Sequence, residues 1–303
     1  MVRESDVRLA DGRTLHVYDT AAEAACGPDG GLPVFWHHGT PNLGHPPRPL
    51  FAAARRLGLR WVSYDRPGYG GSTRNPGRDV GSAAAEVAAV ADALGIGRFA
   101  VMGHSGGGPH ALACGALLPE RVRAVVAMAP LAPYGVDGLD WFAGMAASGE
   151  ASLRAALRGR AAKERHEQEH GAAYDPEFTP ADLATLEGPW SWLGEVVGPA
   201  VQAGPDPLID DDLAYVTPWG FDPAQAVVPT LLLHGGRDRV VPGSHSEWLA
   251  RHCPRAELRR YPSAGHVSVL EHAEQALCWL RANAGRSLVP VGAEQLARGP
   301  SRK

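Results

Sequence analysis

The chain has 303 residues, 45% of them hydrophobic and 20% charged, with a net charge of -4. That length suits one large α/β domain, or a core carrying an inserted subdomain. The acidic balance without a Lys/Arg stripe speaks against a nucleic-acid partner, and no stretch approaches the roughly 20 apolar residues of a membrane span.

Met1 to Asp6 lacks the apolar run of a signal peptide, so a cytoplasmic, reducing setting is expected. The four cysteines, Cys26, Cys114, Cys253 and Cys278, form no Cys-x-x-Cys pair and match no zinc spacing. Cys114 and Cys278 lie in apolar stretches and read as small buried hydrophobes.

In chain order, Val7–Leu9 and Thr14–Tyr18 alternate around Asp11-Gly12 and predict a hairpin. Residues 19–31 read as loop. The apolar run 32–37 predicts a buried strand stopping at His38-Gly39. Residues 49–58 are helical in character, and 60–64 form another strand, ended by Asp65-Arg66-Pro67-Gly68-Tyr69-Gly70-Gly71. An Ala-rich helix over 81–94 ends at Gly95. Strand 98–102 runs into Gly103-His104-Ser105, a helix follows over about 109–118, and 123–128 is the next strand. Strands alternating with helices predict a mostly parallel sheet covered on both faces.

From 131 to 223 this rhythm breaks into amphipathic helices, one starting at the Thr179-Pro180-Ala181-Asp182 cap. It returns with strand 229–234, Asp238, strand 257–261, Gly265-His266 and a helix over about 267–284. The expected organisation is an α/β core over 1–130 and 224–285, a helical cap over 131–223 and a loose tail over 286–303.

The chemistry centres on Gly103-His104-Ser105-Gly106-Gly107. A serine between an apolar strand and a helix, with glycines two before and two after, fits a sharp turn that projects a nucleophile from the sheet. The alternative is a glycine-rich helix start that binds phosphate. A serine hydroxyl needs a base and the base an orienting acid. Asp238 and His266 follow in that order, each past a strand end. The rival histidines are His234, His245, His252 and His272, and the rival acids Asp137 and Asp222. The adjacent His37 and His38 point to opposite faces of a strand, so they cannot easily share one metal ion. Asp65 reads as structural, paired with backbone or with Arg66, and Tyr69 as shaping the entrance. Glu187, Glu195 and Asp210 to Asp212 read as solvated surface, with a cation site as the alternative.

Over residues 5–285 the chain resembles the α/β-hydrolase superfamily. The matching segments are His38-Gly39-Thr40-Pro41, Asp65 to Ser72, the Ser105 motif, His234-Gly235-Gly236-Arg237-Asp238 and Gly265-His266. The resemblance implies a Ser105–His266–Asp238 triad and an oxyanion hole built from the N–H groups of Thr40 and Gly106. It further implies no metal or organic cofactor and a small-molecule substrate; a homodimer is left open. Ester hydrolysis is the default chemistry. Prolyl iminopeptidase-like, haloperoxidase or perhydrolase-like and carbon–carbon hydrolase-like relatives share the triad, and a non-catalytic ligand-binding protein on this fold is a further alternative. Thr40-Pro41-Asn42 departs from the glycine-rich segment of the iminopeptidases. A neutral histidine base predicts activity falling below about pH 6–7. Trp141, Phe142, Trp190, Trp192 and Trp219 of the cap are the candidate pocket lining.

Overall fold

Apolar runs with alternating partners build the sheet. In this computed structural model, which describes residues 2–21 and 31–285, β1 (Arg3–Arg8) and β2 (Thr14–Asp19) form the hairpin. β3 (Leu32–His37), α1 (Phe51–Arg56), β4 (Leu59–Tyr64), α2 (Ser82–Ala93), β5 (Phe99–His104), α3 (Gly107–Leu117) and β6 (Val122–Met128) follow. Among the described residues, the chain then makes helices and no strand until β7. These helices are α4 (Ala147–Leu157), α5 (Arg160–His170), α6 (Pro180–Glu187), α7 (Trp192–Gln202) and α8 (Asp206–Val216). β7 (Thr230–Gly235), α9 (Ser244–His252), β8 (Ala256–Tyr261) and α10 (Ala273–Ala284) complete the order.

The strands form one sheet in the order β1-β2-β4-β3-β5-β6-β7-β8. The pairs from β4 to β8 are parallel, and β1 and β2 join antiparallel at one edge. Parity along the strands sorts the core into two layers. Val34, Trp36, Ala100, Met102, Val126 and Leu231 face α1 and α10. Phe35, Val62, Val101, Val125 and Leu232 face α2, α3 and α9. A strand buried on both faces must be apolar throughout, and β5 is buried at all six positions. Edge strand β1 is charged and exposed instead, which discourages pairing with another chain.

Two expectations need correction or fall outside these residues. Cys278 is exposed: α10 buries Ala273, Ala276, Leu277, Leu280 and Ala284, and position 278 lies off that stripe. Cys114 and Cys253 are buried. The expected tail 286–303, most of the 19–31 loop and Cys26 lie outside the described residues. Among the described residues, no helix is long and apolar enough to cross a membrane.

Candidate active site

β5 delivers Ser105 on a turn that the local sequence makes possible. Ser105 has φ of 54°, a left-handed conformation uncommon for a residue with a Cβ. The turn is held by the Ser105 N–H donating to the Met128 carbonyl at 2.8 Å and by Gly108 N–H donating to the Ser105 carbonyl at 2.9 Å. A Cβ at Gly103 would overlap the Gly107 carbonyl, and one at Gly107 the His37 carbonyl. The two glycines are therefore required by close backbone approach. The side chain of Ser105 stays partly open to solvent.

His266 meets this serine from the loop after β8. Its Nε2 lies 2.8 Å from Ser105 Oγ, and its Nδ1 lies 2.7 Å from Asp238 Oδ2. A carboxylate only accepts, so Nδ1 carries a proton and Nε2 is free to accept from the serine hydroxyl. Asp238 sits past β7 with its other oxygen accepting from Val240 and Val241 N–H at 2.9 Å each. Burial opposes ionisation of Asp238. The charge of His266 and the hydrogen bonds of His234 and His266 outweigh it and hold the carboxyl below the usual carboxylate range. Next to the serine, His104 Nε2 donates to the His266 carbonyl at 2.9 Å, a support that the sequence reading missed.

The rival residues are engaged elsewhere. His234 spans Ser246 Oγ and the Val241 carbonyl, both at 2.7 Å, and stands 3.3 Å from Asp238. His245 spans Ala132 N–H and the Trp141 carbonyl. His252 stacks on Trp248, and His272 on Tyr261. Asp222 caps a short helical turn, and Asp137 is exposed. Arg239, next to Asp238 in sequence, pairs with Glu177. His38 donates from Nδ1 to the Gly39 carbonyl and accepts from Arg66 N–H, while the His37 ring approaches Cys114 Sγ at 3.6 Å.

Ser105, Thr40 and Gly106 open onto one cavity of about 800 Å³. The backbone N–H groups of Thr40 and Gly106 meet no acceptor among the described residues. The expected aromatic lining is corrected here, because none of Trp141, Phe142, Trp190, Trp192 and Trp219 lines the cavity. All five are buried as packing. Trp141, Phe142 and Trp219 join the insert to Val80 and Val241 of the core, and Trp190 and Trp192 join the α10-side layer. The Trp141 and Trp219 indole N–H groups are spent on the Ala132 and Tyr215 carbonyls. An insert with little core of its own must bury its largest side chains to stay in place. The cavity wall is instead built from aliphatic and polar residues such as Leu131, Leu208, Val240 and Glu167, with Tyr174 and Tyr215 as its aromatic members from the insert.

The acidic run is also corrected: Asp210, Asp211 and Asp212 are buried and paired. Asp211 pairs with Arg66 at 2.6 Å and Arg78 at 2.5 Å. Asp210 pairs with Arg74 and Arg160, and Asp212 with Lys163 at 2.6 Å. Lys163 is fully buried, and the carboxylates of Asp212 and Glu167 outweigh burial and raise its pKa. Glu195 pairs at the surface with Arg48, and Glu187 is exposed. Asp65 is structural, but its partners are Gly44 N–H, Gly71 N–H and Tyr18 Oη rather than Arg66. Tyr69 is buried against Asp211 rather than placed at an entrance.

Comparison with known proteins places residues 33–273 in a match to the family described as alpha/beta hydrolase fold. A pimeloyl-[acyl-carrier protein] methyl ester esterase from Nitrosomonas europaea is 30% identical over 72% of this chain and 82% of its own. A 2-hydroxymuconate semialdehyde hydrolase from Pseudomonas putida is 30% identical over 81% and 84%, respectively. A non-heme chloroperoxidase from Streptomyces lividans is 29% identical over 88% and 95%. Among solved structures, a thermophilic esterase from Thermogutta terrifontis superimposes with a TM-score of 0.66 at 22% identity, covering 93% of this chain and 99% of its own.

Proposed function

The chain belongs to the α/β-hydrolase family, and on that premise we propose that it is a serine hydrolase cleaving a carboxylic ester, or a related acyl bond, of a small and partly apolar substrate. The observation that carries the reading is the unbroken chain from Ser105 Oγ through His266 to Asp238, at 2.8 and 2.7 Å. Its members come from the ends of three strands, and Ser105 opens onto the cavity.

In this reading His266 Nε2 takes the Ser105 proton as Oγ attacks the substrate carbonyl carbon. Asp238 keeps the imidazole in the required tautomer and stabilises the imidazolium. The oxygen that gains negative charge rests on the Thr40 and Gly106 N–H groups, which meet no other acceptor among the described residues. His266 then gives its proton to the leaving alcohol, and water, deprotonated by the same ring, releases the acid from Ser105. The arrangement fits ester hydrolysis because it supplies a nucleophile, a base and an oxyanion site together.

The test is a fluorophosphonate probe followed by a series of p-nitrophenyl esters. Wild type should label and turn over, and Ser105→Ala should lose labelling and roughly 10⁴-fold or more of kcat. An unlabelled wild type would support a non-catalytic ligand-binding protein. A carbon–carbon bond hydrolase is the second reading, favoured by the 30% identity to the Pseudomonas putida enzyme. Turnover of 2-hydroxymuconate semialdehyde above that of every ester would select it.

A further inference from the structure

Helix α8 of the insert carries Asp211 and Tyr215 four residues apart, so they lie one turn apart on one face. Tyr215 Oη is 2.7 Å from Thr40 Oγ1 and donates to the Gly106 carbonyl at 3.1 Å. One hydroxyl thus touches both residues whose N–H groups face the reacting oxygen in the proposed mechanism. Asp211 Oδ2 accepts from Thr40 Oγ1 at 2.6 Å and from Tyr69 Oη at 2.9 Å. Arg66, held by Asp211, donates to the carbonyls of His38 and Gly39 and to Thr40 Oγ1 at 2.8 Å. The Gly106 carbonyl also accepts from His110 Nδ1 at 2.7 Å.

Thr40 follows β3 and Gly106 follows β5, so no covalent link sets the distance between their N–H groups. An oxyanion site works only when both donors stand about 2.7–3.1 Å from the developing charge. Gly106 itself bears the imprint of the contact. A Cβ there would overlap both Tyr215 Oη and Thr40 Oγ1, so the glycine after Ser105 makes room for the tyrosine. The Thr40 hydroxyl proton is committed to Asp211, which leaves the Tyr215 proton to Thr40 Oγ1 and the Gly106 carbonyl. Burial and the Asp211 carboxylate raise the phenol pKa, so Tyr215 stays a donor.

We propose that Tyr215, oriented from the same helix face by the Asp211–Thr40 contact, is a positioning residue that sets the separation of the two oxyanion N–H donors. The inference rests on the serine-hydrolase reading. It makes the helical insert part of the catalytic apparatus.

The experiment compares wild type, Tyr215→Phe, Thr40→Val and Thr40→Ser with one p-nitrophenyl ester and with a boronic acid that forms a tetrahedral adduct on the serine. Fluorophosphonate labelling of wild type is run first, and its failure would remove the hydrolase reading itself. Given labelling, Tyr215→Phe should lose about 10-fold in kcat with KM within about twofold, and boronate affinity should fall in parallel. Thr40→Val keeps its N–H yet should lose a similar factor, and Thr40→Ser should restore it. The Tyr215→Phe/Thr40→Val double variant should lose little more than the worse single one. A folded Tyr215→Phe with kcat within twofold of wild type overturns the proposal, as does a loss confined to KM. If Tyr215→Phe does not fold, equal kcat in Thr40→Val and wild type overturns it.

Discussion

The helical insert reaches the loops around Ser105 with two aspartates, and they are held in contrasting ways. Among the described residues, Asp211 on α8 faces two guanidinium groups, two hydroxyls and no backbone N–H. Asp182 on α6 pairs with no cation among the described residues. It accepts from Val267 N–H at 2.8 Å, Ser268 N–H at 2.7 Å and Ser268 Oγ at 2.9 Å, while its second oxygen closes the capping box with Thr179. Burial opposes ionisation at both. At Asp211 the charges of Arg66 and Arg78 outweigh it, and at Asp182 the hydrogen bonds from Ser268 and Thr179 do so. Both carboxyls are consequently held below the usual carboxylate range. One contact serves the Thr40 side of the cavity and the other the His266 loop. Their difference is that charge compensates one carboxylate and oriented dipoles the other.

Acid should stress the two sides unequally, with the largest effect. On the α8 side, His37, His38 and His110 are buried, and burial, then the charge of Arg66, lowers all three, His37 to about 3. On the α6 side, burial lowers His104 to about 3. A histidine with a lowered folded pKa adds stability above its unfolded pKa of about 6.5 that is lost as pH falls toward the folded value. Each contributes up to about 1.4 kcal/mol per pH unit in that window, so the α8 side dominates. Urea unfolding at pH 7.5, 6 and 5 should show stability falling at each step. A flat profile to pH 5 would refute neutral burial of these rings. The aspartates, with lowered carboxyl pKa values, add a further loss only below about pH 4.

Asp211→Asn removes the one carboxylate shared by two buried guanidinium groups. It should cost about 3–5 kcal/mol, read as a shift in the urea midpoint, because the unpaired cations remain buried. A loss under about 1 kcal/mol would mean that Arg66 and Arg78 find other partners, and the contrast with Asp182 would lapse.

What could be foreseen from sequence follows the same division between local and distant partners. The order of strands, the Ser105 turn, the Thr179 cap and the convergence of Asp238 and His266 are legible because each rests on neighbouring residues or on strand ends. Asp210 to Asp212 read as a solvated run because none of their partners is local: Arg66, Arg74 and Arg78 lie over 130 residues away, and Arg160 and Lys163 lie on another helix, α5. The tryptophans of the insert read as pocket lining for a related reason. Aromaticity is visible in a sequence, but whether a ring faces a cavity or a packed layer is decided by the face its helix or loop turns inward. Tyr215 had a signal that went unused, a polar group among the buried residues of α8, whereas Asp182 read only as part of the Thr179 cap because its partners Val267 and Ser268 lie 85 and 86 residues away.

Asp182→Ala is the smaller and more selective counterpart of Asp211→Asn. It strips acceptors from two buried backbone N–H groups and a buried hydroxyl, and should cost about 2–3 kcal/mol. It should also lower kcat, because the Val267 and Ser268 N–H groups anchor the chain immediately after His266. Thr179→Ala separates the two roles of Asp182. It removes the capping hydroxyl while leaving the Asp182 bonds to the His266 loop, so about 1 kcal/mol of stability should be lost with kcat unchanged. Equal kcat losses in both variants would show that α6 acts through helix stability alone. A kcat loss in Asp182→Ala alone would assign the effect to the carboxylate itself, held in place without any opposing charge.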